Sequence, residues 1–119
     1  MARFDIDGIQ AQLQQFAVDR DWEQFHSPKN LAMALSVEAA ELLEVFQWLT
    51  EPESREISDR QLSNARDEAA DVAIYLLRLA DVLDIDLSKA IKDKIRMKEK
   101  KYPVARARGG AKKYTDFDQ

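Results

Sequence analysis

Two acidic patterns of matching spacing stand out in this 119-residue chain: Glu38-Ala39-Ala40-Glu41 and Glu68-Ala69-Ala70-Asp71. On a helix, residues three apart share one side, so each pair presents two carboxylates together. Their neighbours make this unusual. On a wheel of about 100° per residue, Leu31, Leu35, Leu42 and Val45 fall within about 60° of Glu38, and Glu41 lies about 60° to the other side. Around Glu68, one flank holds Ala65, Val72, Tyr75 and Leu79, with Asp71 one turn on. Surface acids avoid apolar stripes, because an isolated buried carboxylate is costly and two facing pairs repel. A divalent cation held between two antiparallel helices resolves the conflict. Oxygen ligands, with no Cys in the chain and no His at helical spacing to them, favour Mg²⁺ or Mn²⁺ over Zn²⁺. A single E-x-x-E is usually a rim pair matched with Lys or Arg. Two such pairs on successive apolar stripes favour metal.

The elements that must position these acids can be read from caps and periodicity. Ile6, Ile9, Leu13, Phe16 and Ala17 predict a helix from about Asp5 to Arg20. An irregular segment, Asp21-Trp22-Glu23-Gln24-Phe25-His26, follows. Ser27 as cap and Pro28 at the first helical position predict a second helix to about Leu49. A connection spans Glu51 to Ile57, with room for a short turn after Pro52. Ser58 and Gln61 have capping-box spacing and open a long helix to about Leu83. Asp86 caps a last helix that Pro103 ends. Gly109-Gly110 then marks a flexible basic tail. No strand and no internal repeat is evident. The expected organisation is an all-α four-helix bundle over 1–103, with a basic tail over 104–119.

Composition sets the outer bounds. The length fits one domain, and three Gly and three Pro are too few to interrupt long helices often. The absence of Cys excludes a disulfide framework and a thiolate site. No basic-then-apolar leader pattern and no membrane-length apolar run is present, so a soluble, cytoplasmic protein without a membrane partner is expected. A net charge of −4 argues against bulk nucleic-acid binding. Cations nonetheless crowd the C-terminal part from Lys89 to Lys113, Lys94 and Lys101 among them. Such a run is either solvated surface or a source of charge for a polyanion.

The two acidic patterns on adjacent helices resemble the all-α nucleotide pyrophosphohydrolases: MazG-like proteins, dimeric dUTPases and dCTP pyrophosphatases. The segments Arg20 to His26, Pro28, Asn30-Leu31, Phe46-Gln47-Trp48 and Asp71 to Leu76 resemble the dCTP pyrophosphatase branch in particular, as do Lys101-Tyr102-Pro103 and Lys113-Tyr114-Thr115. The likeness spans about Phe16 to Thr115. It implies that Glu38, Glu41, Glu68 and Asp71 bind Mg²⁺. It also implies that Trp22, Glu23, Gln24, Phe25 and His26, with Trp48 and Tyr75, shape a nucleotide site. Trp48 falls near Glu41 on the wheel and Tyr75 is one turn beyond Asp71, where a π-face serves as a stacking platform. Trp22 and Phe25 can equally be loop anchors, and His26 can cap or pack. Three positions depart from the pattern. Val37 stands where many MazG-like members have a further Glu, Leu13 where some dCTP pyrophosphatases have His, and Lys98 where an Asn is common.

The resemblance implies Mg²⁺-dependent cleavage of a nucleoside triphosphate, dCTP or a related or modified nucleotide, to monophosphate and pyrophosphate. Glu38 or Glu41 is the expected proton acceptor, and Lys94 and Lys101 can offset charge on the leaving pyrophosphate. A redox di-metal bundle would require an E-x-x-H helix motif, whereas the only His, His26, precedes the second helix. A non-catalytic helical interaction module is the other alternative, and intact acids on both helices weigh against it. Met33, Leu43 and Phe46 on the second helix, and Ile74, Leu77 and Val82 on the third, lie off the acid-bearing sectors. These second apolar faces predict a homo-oligomer, and the family resemblance points to a dimer or a tetramer built as a dimer of dimers, the tetramer being the expected form. Lys101 and Tyr114 could then serve a neighbouring subunit.

Overall fold

Every long helix opens on a side chain that accepts a hydrogen bond from its first turn, satisfying a backbone donor that has no partner within the helix. Asp5 caps α1 (Ile6–Asp19), Ser27 caps α2 (Pro28–Phe46), and Asp86 caps α5 (Leu87–Lys101). Capping boxes open both the short α3 (Glu51–Ser54), through Thr50 and Glu53, and the long α4 (Asp59–Val82), through Ser58 and Gln61. A single turn, α6 (Val104–Ala107), and two 3₁₀ turns at Glu23–Phe25 and Tyr114–Asp116 complete the set. The structure is a computed structural model that describes residues 4–118, and among these residues there is no strand.

Helix ends are equally specific. At the end of α1, Trp22 N–H donates to Ala17 C=O (2.9 Å), with Asp21 left-handed at φ 55°. At the end of α4, Ile85 N–H donates to Ala80 C=O (2.8 Å), with Asp84 at φ 56°. Both are Schellman-type closures, with Asp at the position usually given to Gly. The second helix stops at Phe46, short of the expected Leu49. The chain must leave the helical path there to set up the Thr50 cap of α3.

The chain divides into two compact units between Ile85 and Asp86. In the first, α2 packs extensively on α4, and α1 packs on α4 more sparingly. His26, just before α2, meets Arg78, while Glu38 approaches Glu68, so α2 and α4 run antiparallel. Among the described residues, Ala17, Leu31, Leu77 and Ala80 are the buried apolar ones. Leu77, expected on an outward face, is 3% exposed. Gln10 on α1 donates to the Leu77 carbonyl (2.9 Å), so α1 covers this side of α4, which no single-helix wheel can foresee. Met33, Leu43, Ile74 and Val82 are exposed as expected, and Phe46 is half-buried.

The second unit holds α5, α6 and the last turn. The segment expected to be a flexible basic tail carries a helical turn and a 3₁₀ turn and returns to the end of α5. Tyr102 meets Tyr114 and Phe117 edge-on, at 5.9 and 5.5 Å between ring centres. Lys101 lies over the Tyr114 ring at 4.8 Å, and Arg106 lies over Phe117 and pairs with Asp118. The aromatic triad supplies apolar contact that a charge-based reading of this segment overlooks.

Candidate active site

The α2–α4 contact carries the acids. Glu38 and Glu41 project from α2 and Glu68 and Asp71 from α4, all four half-buried. One carboxylate oxygen from each of Glu38, Glu41 and Glu68 can be chosen so that all three lie within 4.8 Å of one another. Asp71 is outside this tightest set, but its charge bears on both Glu38 and Glu68. Among the described residues, no ion pair includes any of the four acids. They are therefore not rim acids matched with Lys or Arg.

Crowding shows in their proton affinities. Glu38 is pushed up to about 7, first by a hydrogen bond with Glu41, then by burial and by the charges of Glu41, Asp71 and Glu68. Glu68 is also raised, chiefly by burial, with Glu41 and Asp71 adding to it and a hydrogen bond with Glu38 opposing it. One oxygen of each, Oε2, is buried without a hydrogen-bond partner. An unpartnered buried oxygen facing like charge is unfavourable unless a cation meets it. The donor set is all oxygen on two rigid helices, which suits a hard divalent ion. The acidic cluster can bind a metal.

The segment before α2 is built differently. Trp22, 42% exposed, meets Phe16 edge-on at 5.6 Å, and Phe25 is 58% exposed. Glu23 accepts from Gln14 of α1 (3.0 Å), whereas Gln24 turns back on Asp21. His26 Nδ1 accepts from Arg78 Nε (3.1 Å). Burial, then the Arg78 charge, holds His26 below its usual proton affinity, with Glu23 opposing. The bond to Nδ1 requires the neutral ring with its proton on Nε2.

Tyr75 is half-buried on α4, one turn beyond Asp71. Trp48 lies past the end of α2 and is 86% exposed, so the wheel that placed it beside Glu41 does not apply. Lys94 and Lys101 are on α5, in the second unit. The structure thus gathers Glu38, Glu41 and Glu68, with Asp71 electrostatically close, and ties Glu23 and His26 into one network. Gln24 stays local. Arg78 and Gln14 were missed from sequence, although Arg78 interrupts the apolar run Leu76-Leu77-Arg78-Leu79 and lies two turns beyond Asp71. That is the same signal that exposed the acids.

The sequence model of the MazG-like family matches residues 33–117. dCTP pyrophosphatase 1 of Mus musculus is 44% identical over 105 residues, and that of Homo sapiens 43%. Each alignment covers 87% of this chain and 62% of the relative, so the chain spans less than two thirds of these relatives' length. A crystal structure of a pyrophosphatase from Archaeoglobus fulgidus superposes with a TM-score of 0.79 at 40% identity, covering 87% of this chain and 96% of that one. An all-α fold with paired acids on α2 and α4, and a family match over most of its length, place the chain in the MazG-like family.

Proposed function

We propose that the protein is a Mg²⁺-dependent nucleoside triphosphate pyrophosphohydrolase acting on dCTP or a related or modified nucleotide. The observation that carries this is the set of unpaired carboxylates of Glu38, Glu41 and Glu68, with buried oxygens left unpartnered on Glu38 and Glu68. The names of the relatives supply the substrate class. The four acids would hold a divalent metal, which when bound would offset charge on the triphosphate and lower the pKa of a water. Glu38 or Glu41 accepts a proton from that water as it attacks the α-phosphorus. The bond from the α-phosphorus to the bridging oxygen breaks, and pyrophosphate leaves. Trp22, Phe25, Tyr75 and Trp48 supply aromatic faces for the base, and Glu23, Gln24 and His26 supply polar groups of the same site. Lys94 and Lys101 are the proposed cations for the phosphates. In this reading the enzyme works in the cytoplasm as a homo-oligomer, a tetramer of two dimers. No helix among the described residues is long and apolar enough to cross a membrane.

The test is pyrophosphate release from a panel of nucleoside triphosphates. Release should require Mg²⁺ or Mn²⁺ and stop in EDTA. Glu41→Gln and Asp71→Asn should each lower turnover by at least about 100-fold, since each removes an anion from the metal site. Wild-type turnover in EDTA, or full activity in either variant, sinks the reading.

A further inference from the structure

Arg78 is the one buried charged residue among those described, 5% exposed. It lies on α4 beside the buried Leu77 and Ala80, where an unpaired charge would be costly. The guanidinium is met on several sides. Its Nε donates to His26 Nδ1 (3.1 Å), its Nη1 donates to Gln14 Oε1, and Asp81 Oδ2 lies 3.7 Å from Nη1. Gln14 in turn donates through Nε2 to Glu23 (3.0 Å).

Both ends of the Trp22–Phe25 turn are therefore tied to one side chain: Glu23 through Gln14, and His26 directly. Arg78 sits one turn beyond Tyr75 on the same helix, so the clamp fixes the turn relative to α4, which carries Glu68, Asp71 and Tyr75. Simple core filling does not need a guanidinium. A planar fork with donors in fixed directions sets the distance and angle between three elements, which a Lys or an apolar residue cannot do.

We propose that Arg78 is a positioning residue that holds the Trp22–Phe25 turn in place to receive the nucleoside part of the substrate. This rests on the pyrophosphohydrolase reading above. Arg78 touches neither the acids nor the phosphates in this scheme, so its loss acts on substrate affinity and leaves the chemical step intact.

The test compares Arg78→Met and Arg78→Lys, each labelled with 5-fluorotryptophan, which gives one fluorine signal for Trp22 and one for Trp48. Arg78→Met should shift or broaden the Trp22 signal and leave the Trp48 signal in place. Its KM for dCTP should rise about 10-fold while kcat stays within about 2-fold. Arg78→Lys, which keeps the charge but loses the fork, should behave the same way and serves if the Met variant does not fold. An unmoved Trp22 signal in the folded Arg78 variants overturns the proposal, as does a loss confined to kcat. If the wild type releases no pyrophosphate from any nucleotide, the functional reading fails, and the fluorine signals still decide whether Arg78 holds the turn.

Discussion

A carboxyl group held near neutrality, as at Glu38, makes folding sensitive to pH in a definite direction. Its value is about 7 in the folded protein against an ordinary 4.5. Because the folded value is the higher, the stabilising contribution is full below about 4.5 and is lost as pH rises through about 7. The metal-free melting midpoint should therefore fall between about pH 5 and about pH 8, and Mg²⁺ should restore it at the upper end. An identical slope in Glu38→Gln would show that another group is responsible. Trp48 offers a second contrast. At 86% exposure its removal opens no cavity, so Trp48→Ala should change stability by no more than about 0.5 kcal/mol. If the indole stacks on the base, KM for pyrimidine triphosphates should still rise about 10-fold. Unchanged KM would remove Trp48 from the site.

The caps of α2, α4 and α5 were legible residue by residue, because Ser27, Ser58 and Asp86 are followed by helical patterns with few alternatives. The end of α2 was not. No Gly or Pro follows Phe46 until Pro52, and the helix yields instead to the Thr50 capping box of its neighbour. The acids were legible because carboxylates on apolar stripes are anomalous on any one helix. Arg78 satisfied the same criterion, but apart from Asp81 its partners come from α1 and the turn before α2, and no single wheel contains them. The left-handed Asp21 and Asp84 were equally silent, since Asp is common in ordinary turns. Their geometry has a measurable consequence. Asp84→Gly should stabilise the protein by roughly 0.5–1 kcal/mol, because Gly adopts that backbone without steric cost. Urea unfolding measures this, and a loss of stability would mean that the Asp84 side chain contributes more than its strain costs.

The molecule leaves much of its apolar surface uncovered. Val37, Leu43, Leu62, Ile91 and Ile95 are each between 46 and 59% exposed, on helices of both units. Exposed apolar side chains on helices mark interfaces when they gather into patches, and those on each unit are the physical support for the proposed oligomer. Light scattering at micromolar concentration should give a multiple of 13.7 kDa, with four copies expected. A species of one chain mass would end that proposal. Composition and the second apolar stripes pointed to assembly, but the wheel misassigned Leu77, because the covering element belongs to the same chain.

The smallness of the core has a calorimetric consequence. Heat capacity rises on unfolding in proportion to the apolar surface newly wetted, ordinarily about 12–15 cal/mol/K per residue. With Ala17, Leu31, Leu77 and Ala80 as the buried apolar residues among those described, a solitary chain has little to wet and should fall well below that range. Chains that shelter their faces against one another should approach it. The increment per residue, followed by scanning calorimetry across a dilution series, would then report how much of the hydrophobic interior each chain owns and how much it shares.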